Sequence, residues 1–384
     1  MSELYLHIVS FDIPYPPDYG GVIDVYYKIR SLHDAGVRIM LHCFEYNRKP
    51  AKELEDLCVS VNYYPRRNNL KSHLSVKPFI VGSRISADLE KNLLKDQHPI
   101  LFEGLHTCHL LSDKRFKGRL RIYRESNIEH QYYMHLFKAS KGLKNKLFFL
   151  AESFRLRHFQ RHLKHADLML VVSEEDLKYL KKIFPRKKIH YMPSFHREDD
   201  VAMPEGRGDF ALYHGKLSVP ENEQAAVFLI SEVWDPSMPE LVIAGQNPSP
   251  ALLRLKQGRK NIRIVASPPE EEMFRLIRDA QVNIMVTFQP TGLKLKLLNA
   301  LYNGRFCLVN SNMVTGTNLA PLCMIAEKPE EFREKTMRAF SEDYTTDMTE
   351  ARRMHLDRTF SNKKSCKELT DFLTLRHEKN ISTR

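Results

Sequence analysis

The chain has 384 residues, which at roughly 150 residues per domain is enough for two domains that each bury a core. Hydrophobic residues make up 42% of the chain and charged residues 28%, and this ordinary globular composition excludes the fibrous and disordered classes. The 59 Lys and Arg outnumber the 47 Asp and Glu by 12, which favours an anionic partner such as a nucleotide phosphate, a lipid headgroup or nucleic acid.

The sequence carries no sign of a membrane span or of a metal site. No apolar run approaches the roughly 18 to 20 residues that cross a bilayer, and residues 1–10 lack the basic start of a secretory signal, so we expect a cytoplasmic protein. The six cysteines are scattered without a Cys-x-x-Cys pair. They predict buried thiols, and we expect neither a metal nor another cofactor.

Short apolar runs alternate with segments of helical period in the first half, which predicts a parallel sheet with helices on both faces. The predicted strands lie at 4–9, 37–43, 59–64, 100–102, 120–123, 168–172 and 189–192. The first helix is predicted at 21–35 and ends at Gly36, a typical glycine position after a helix.

The alternation stops at 193–209, a stretch rich in proline, glycine and charge, where we place the linker. It resumes with predicted strands at 210–214, 240–244, 262–265, 282–287, 306–310 and 322–326. Residues 329–378 are predicted to be helical, as a tail that can cross back onto the first domain. The resulting division is a first Rossmann-like domain at 1–195, a linker at 196–209, a second Rossmann-like domain at 210–350 and a helical segment at 351–384.

Three strand-to-helix turns are candidates for anion binding. The first lacks the Gly-x-Gly-x-x-Gly spacing of dinucleotide-binding proteins, but Gly20 and Gly21 allow a close approach to backbone amides. The second places Lys216 after a predicted strand, and the third opens a helix at Thr291 and Gly292, with Lys296 and Asn299 on the same face as Gly292. Each turn is equally compatible with an ordinary helix start and solvated lysines.

Four segments in register resemble the retaining GT-B glycosyltransferases of group 1, which are family 4-like. The resemblance covers essentially the whole chain and rests on Pro14-x-Pro16-Pro17-x-x-Gly20-Gly21, His214-Gly215-Lys216-Leu217-Ser218, Val242-Ile243-Ala244-Gly245 and Thr291-Gly292-Leu293-Lys294-Leu295-Lys296-Leu297-Leu298-Asn299-Ala300.

This resemblance implies an α/β GT-B fold, with two doubly wound domains facing a cleft that holds a nucleotide-sugar and needs no metal. It implies that the donor is bound by Gly20, Gly21, Lys216, Thr291, Gly292, Leu293, Lys294, Lys296 and Asn299. The chain departs from the family at Thr291 and Asn299, where many members have glutamates, and at Ser126, where a histidine often lines the reaction pocket. A hydroxyl and an amide can still hydrogen-bond a sugar diol.

For the acceptor side, the candidates are polar residues that follow two neighbouring predicted strands. Glu103 and His106 follow the strand at 100–102, and Glu125 and His130 follow the strand at 120–123. Any of the four can position or deprotonate an acceptor hydroxyl. In a chain with 17 histidines, some of them will lie near a cleft by chance.

Two basic runs remain outside these motifs. Residues 138–165 contain eight Lys or Arg and one acid, Glu152, among several phenylalanines, and residues 178–188 contain six Lys or Arg and no acid. The pattern fits contact with an anionic membrane surface, and it fits equally a solvated helix face. No zinc-finger, RRM or KH signature supports nucleic acid as the partner.

The sequence therefore predicts a hexosyltransferase-type enzyme that moves a sugar from a nucleotide-sugar to a glycan or lipid-linked glycan, in polysaccharide or glycoconjugate biosynthesis. It is expected in the cytoplasm or peripherally on the inner face of the cytoplasmic membrane. Two alternatives stay open: a nucleotide-sugar epimerase of the same fold, and a non-catalytic sugar-nucleotide-binding or scaffold subunit.

Overall fold

A computed structural model describes residues 3–67, 76–140, 142–288 and 295–381. The chain divides into two compact units. The first unit comprises Met1–His196 and Asn362–Arg384, and the second comprises Arg197–Ser361.

The first unit is built on a seven-stranded parallel sheet in the order β3-β2-β1-β4-β5-β6-β7. Its strands are β1 Tyr5–Ser10, β2 Arg38–Glu45, β3 Ser60–Pro65, β4 Ile100–Glu103, β5 Arg121–Arg124, β6 Leu168–Val171 and β7 Ile189–Tyr191. All residues of β4 and β6 are buried, because helices cover both faces of a parallel sheet. This explains why the strands read as continuous apolar runs.

The helices of the first unit connect these strands in chain order. They are α1 Gly20–Asp34, α2 Lys52–Glu55, α3 Phe79–Gly82, α4 Ala87–Leu93, α5 Glu129–Ala139, α6 Leu143–Phe159 and α7 Glu174–Ile183, with short 3₁₀ turns at Leu105–Leu110, Lys114–Phe116 and Gln160–His165. Helix α1 is followed by Gly36 at φ +81°, a left-handed conformation that glycine adopts without steric cost.

The second unit is built on a six-stranded parallel sheet in the order β10-β9-β8-β11-β12-β13. Its strands are β8 Phe210–His214, β9 Glu240–Gly245, β10 Ile262–Ala266, β11 Val282–Met285, β12 Phe306–Val309 and β13 Met324–Ile325. Its helices are α8 Pro220–Phe228, α9 Pro250–Lys256, α10 Glu270–Asp279, α11 Leu295–Asn303, α12 Ser311–Val314, α13 Pro329–Ser341 and α14 Thr346–Phe360, with a π turn at Leu229–Val233 and a 3₁₀ turn at Ala320–Leu322.

The last helix, α15 Asn362–Ile381, returns to the first unit. Its Leu369 and Leu373 are 0% and 1% exposed and belong to the same core cluster as Leu32 of α1. The thiol of Cys366 donates to the carbonyl oxygen of Ser31 at 3.2 Å. The helical tail thus completes the core beneath β1 and β2.

Within the described residues, no helix is long and apolar enough to cross a membrane. The six cysteines are all free thiols.

Candidate functional site

The carboxyl ends of β1, β4 and β5 bring polar groups together at one edge of the first sheet. Gly104, at the end of β4, has φ +68°, and a Cβ placed on it would lie 2.9 Å from His106 Nδ1 and 3.6 Å from Ser126 Oγ. Glycine is therefore required where the chain turns, and its small size lets His106 and Ser126 approach the same backbone position.

His106 lies inside this group of side chains. Its ring centroid is 5.2 Å from that of Phe11, and its Nδ1 is 3.9 Å from Glu129 Oε1. Nδ1 is buried and has no hydrogen-bond partner among the described residues. Burial, with smaller contributions from Arg84 and Arg66, lowers the pKa of His106 well below its usual range, so the imidazole is neutral at pH 7.

Glu129 is the first residue of α5, and its side chain is 4% exposed. Burial raises its pKa to about 8 against the opposing charge of Arg84. A neutral imidazole beside a carboxyl that titrates near neutrality can exchange a proton with a substrate hydroxyl. Glu129 was not among the candidate residues. Its burial and the approach of His106 from another loop could not be deduced from the sequence.

Glu103 has a partner within the core. Lys28 Nζ donates to Glu103 Oε1 at 2.7 Å and to Asp24 Oδ2 at 3.0 Å, and all three side chains are buried. Arg124 donates to both oxygens of Asp24 at 3.0 Å. Burial raises the pKa of Asp24, but Arg124 and Lys28 outweigh it and lower the pKa to about 2. Two carboxyl groups and two cations thus form one buried cluster, in which the Glu103 side chain is paired with Lys28.

The side chains of Glu125 and His130 also have partners within the first unit. Tyr123 donates to Glu125 Oε2 at 2.7 Å, and burial, with Asp176 adding, raises the pKa of Glu125 well above its usual range. His130 Nε2 lies 3.2 Å from the hydroxyl of Tyr179. Of the four acceptor-side candidates, His106 is the one placed beside a titrating carboxyl.

Gly20 and Gly21 open α1, as the sequence indicated. A Cβ on Gly21 would lie 2.7 Å from the ring of Phe11, which also contacts the His106 ring. The first amides of an α-helix have no carbonyl partner within the helix, and this is the general reason why anions bind at helix N-termini.

The carboxyl end of β8 in the second unit gathers the predicted lysines. Asn222 Nδ2 donates to the backbone oxygen of Lys216 at 3.1 Å, and Lys296 Nζ donates to Asn222 Oδ1 at 3.3 Å. The ammonium group of Lys296 also lies 5.5 Å from the centroid of the Tyr213 ring. Asn222 therefore links the backbone of Lys216 to the ammonium group of Lys296, 80 residues away in the sequence.

His214 lies beneath these lysines and is 6% exposed. Burial, and then Lys296, lower its pKa to about 3, so the ring is neutral. Its Nε2 has no hydrogen-bond partner among the described residues. Next to it, Gly245 ends β9 where a Cβ would lie 1.8 Å from the backbone oxygen of Gly215, so glycine is required there.

Of the remaining donor-side candidates, the structure describes Asn299 but not residues 291–294. Asn299 Oδ1 accepts a hydrogen bond from Asn303 Nδ2 at 2.9 Å, so its amide is partly used within α11. Thr291, Gly292, Leu293 and Lys294 lie outside the described residues. Among the residues that the structure does describe, no group of His, Cys, Asp or Glu is arranged to hold a metal ion.

Several solved structures resemble this chain over nearly its whole length. Sucrose-phosphate synthase from Thermosynechococcus elongatus matches with a TM-score of 0.66 at 12% identity, over 100% of both chains. HepE from Anabaena, solved with UDP and glucose, matches with a TM-score of 0.63 at 8% identity, over 97% of this chain and 100% of that one. WaaG, a glycosyltransferase involved in lipopolysaccharide biosynthesis, matches with a TM-score of 0.63 at 11% identity, over 96% and 99%.

The chain has the GT-B fold. The fold expected from the sequence is thereby confirmed, with two Rossmann-like parallel sheets of seven and six strands. At the level of sequence, an uncharacterized 44.6 kDa protein in the cps region of Klebsiella pneumoniae is 26% identical over 341 residues, 83% of this chain and 86% of that protein. No family model matches the sequence.

Proposed function

We propose that this GT-B protein is a retaining, metal-independent glycosyltransferase that moves a sugar from a nucleotide-sugar to a glycan or lipid-linked glycan. The observation that carries the proposal is the placement of Lys216 and Lys296 around Asn222 at the carboxyl end of β8. In open α/β sheets, ligands bind at this end of the strands. The HepE structure with UDP and glucose, and the cps region of the Klebsiella relative, support a nucleotide-sugar donor and a role in polysaccharide assembly.

The chemistry assigned to the lysines is charge neutralisation. The acceptor oxygen bonds to the anomeric carbon on the face from which the diphosphate departs, which retains the configuration. The bond from that carbon to the diphosphate breaks, and the electron pair leaves with the diphosphate. Lys216 and Lys296 stabilise the negative charge that develops there, without a metal ion. Activity is expected to persist in EDTA.

On the acceptor side, the proposal assigns His106 to the reacting hydroxyl. Its Nδ1 faces Glu129, which leaves Nε2 for the substrate. A neutral imidazole can accept the hydroxyl proton.

Thermal unfolding against UDP, GDP, ADP and their sugars tests donor binding. A nucleotide at about 100 times its Kd adds about 2.7 kcal/mol to the free energy of unfolding. A shift with one base identifies the donor class. The absence of any shift contradicts the proposal and favours the scaffold alternative. Conversion of free donor without an acceptor identifies an epimerase.

Alanine variants test the two lysines directly. Lys216→Ala and Lys296→Ala are each expected to weaken nucleoside diphosphate binding by about 1 to 3 kcal/mol, the range for hydrogen bonds to charged groups. Lys260→Ala, at an exposed lysine before β10, is the matched control and is expected to leave binding unchanged. Calorimetric titration measures all three variants. Equal affinities for the nucleoside diphosphate in all three variants would show that Lys216 and Lys296 do not bind the phosphates.

We further propose that the protein associates peripherally with anionic membrane. Helix α6 exposes Leu143, Leu147 and Phe154 at 74%, 60% and 61%, and cationic side chains flank this stripe on the same helix. Phe148 and Phe149, by contrast, pack on Phe79 and Tyr133. An apolar stripe between cations is complementary to an anionic lipid surface.

Leucine substitutions test this association. Leu143→Ser with Leu147→Ser is expected to weaken binding to phosphatidylserine vesicles by at least about tenfold, because burying one leucine contributes roughly 1.5 kcal/mol or more. Leu253→Ser with Leu255→Ser, at exposed leucines of α9, is the control. Vesicle co-sedimentation at low and high salt provides the measurement. Failure of the wild-type protein to co-sediment with the vesicles at low salt would exclude the membrane association.

A further inference from the structure

A groove of about 810 Å³ lies between α6 and α7 in the first unit. The structure brings the two basic runs of the sequence together there. Arg157 and Arg161 come from the first run, and Lys182 comes from the second. We call it the α6–α7 groove.

The charged side chains that line the α6–α7 groove are all positive. No Asp or Glu is among the described residues that line it. The side chains of Arg157, Arg161 and Lys182 are exposed, and within the described parts of the chain none of them forms an ion pair. Glu152, the only acid of the first run, is fully buried, accepts from the Phe79 amide at 2.6 Å and pairs with Arg155 at 2.8 Å.

Neutral polar side chains also line the groove. His130, which follows Glu129 in α5, lines the groove, and its Nε2 is 3.2 Å from the Tyr179 hydroxyl. Gln160 Nε2 donates to that hydroxyl at 3.4 Å. These neutral groups add hydrogen-bonding capacity to a site whose charge comes from the three cations.

The edge of the groove is apolar. Phe154 and Ile183 line it and are 61% and 42% exposed, and Phe154 also belongs to the exposed stripe of α6. A ligand that fits both features carries phosphate at one end and hydrocarbon at the other. A free anion would leave the apolar edge without a partner.

We propose that the α6–α7 groove binds the phosphate headgroup of an anionic membrane lipid and so anchors the protein to the membrane surface. The arginines offer planar pairs of N–H donors that match phosphate oxygens, and Lys182 supplies a point charge. The proposal rests on the membrane association proposed above. It adds the chemical group that is recognised and the residues that recognise it.

The test removes three cations from the groove and three from elsewhere in the same unit. The groove variant is Arg157→Ala, Arg161→Ala, Lys182→Ala. The control is Lys91→Ala, Lys114→Ala, Lys117→Ala, at exposed lysines that do not line the groove. Both variants lose three positive charges, so a difference between them in vesicle binding is due to the position of the charges and not to their number. Circular dichroism and the Tm confirm that each variant is folded.

Vesicles of equimolar phosphatidylcholine and phosphatidic acid are the probe, with inorganic diphosphate as the free anion. The groove variant is expected to bind vesicles at least about tenfold more weakly than wild type, and the control less than about threefold more weakly. Equal losses of vesicle binding in the two variants, or unchanged vesicle binding in the groove variant, would overturn the proposal. So would calorimetric binding of diphosphate that disappears in the groove variant while vesicle binding is unchanged, because the ligand would then be a soluble phosphate.

Donor binding is measured separately, by the thermal shift with nucleotides. Loss of vesicle binding with an intact nucleotide shift supports the groove. A wild-type protein without any nucleotide shift argues against the proposed transferase, and the vesicle result stands independently of it.

Discussion

His106 and Glu129 are two ionisable side chains that their surroundings hold in the neutral form. Burial is the main cause in both, and it acts in opposite directions on the two pKa values because one group is cationic and the other anionic when charged. The consequence is a neutral pair beside Gly104, in which the Glu129 carboxyl titrates at about pH 8 and the His106 imidazole is held in its neutral form. This property distinguishes the pair from the ion-paired Glu103 a few residues away.

The raised pKa of Glu129 predicts a pH-dependent stability. The folded protein holds the carboxyl proton more tightly than the unfolded chain, so Glu129 disfavours folding increasingly as the pH rises from about 4.5 through about 8. Glu129→Gln removes this titration. The variant is expected to gain stability relative to wild type across that window, measured by urea unfolding at a series of pH values. Parallel curves for the two proteins would mean that Glu129 is ionised in the folded state.

Individual site residues were only partly predictable from sequence. Lys216 and Lys296 are predicted from a local pattern that the sequence displays, a strand followed by a turn into a helix. Glu103 occupies the same kind of position, but its carboxylate is taken by Lys28 from another element. Only the packing of α1 on β4 distinguishes the two cases, and no local pattern encodes that packing.

At the scale of elements, the strands were the most predictable feature. Both faces of each sheet are covered, so the buried strands are short continuous apolar runs that stand out between polar segments. The predicted strand at 282–287 extends beyond β11, Val282–Met285, because Val286 and Thr287 are buried although the strand has ended. The predicted helical stretch at 329–378 is three helices, α13 to α15.

The junction of β8 and β9 yields a prediction about backbone spacing. A Cβ on Gly245 would overlap the backbone oxygen of Gly215, so Gly245→Ala must displace the loop that carries Lys216. We expect a loss of about 1 to 3 kcal/mol of stability, the range for an overpacked core, together with weaker nucleotide binding. Gly142→Ala, where a Cβ would meet nothing within 4 Å, is the control. Urea unfolding and calorimetry measure the two effects. A variant as stable as wild type would show that the loop adapts.

At the scale of the whole molecule, the chain leaves the first unit at His196 and returns to it at Asn362. The two residues are joined directly: Asn362 Nδ2 donates to the backbone oxygen of His196 at 2.7 Å, and the His196 amide donates to Asn362 Oδ1 at 3.2 Å. The core of the first unit therefore depends on residues from both ends of the sequence.

Truncation of a buried leucine in α15 tests this dependence. Leu369→Ala is expected to lower the free energy of unfolding of the first unit by about 2 to 5 kcal/mol, as for other buried leucines. Lys363→Ala, at an exposed position of the same helix, is expected to change it by less than about 0.5 kcal/mol. Urea unfolding of the full chain provides both values. Similar values for the two variants would show that α15 adds little to this core.

The return of α15 also sets an order of events during synthesis. A ribosome makes the seven strands of the first sheet early, yet the helix that covers Leu32 and its neighbours emerges only after the second unit has been translated. The second unit is continuous in sequence and can complete its fold while the first still has an open apolar surface. This apolar surface of the first unit therefore stays exposed to solvent in the nascent chain until α15 has been synthesised.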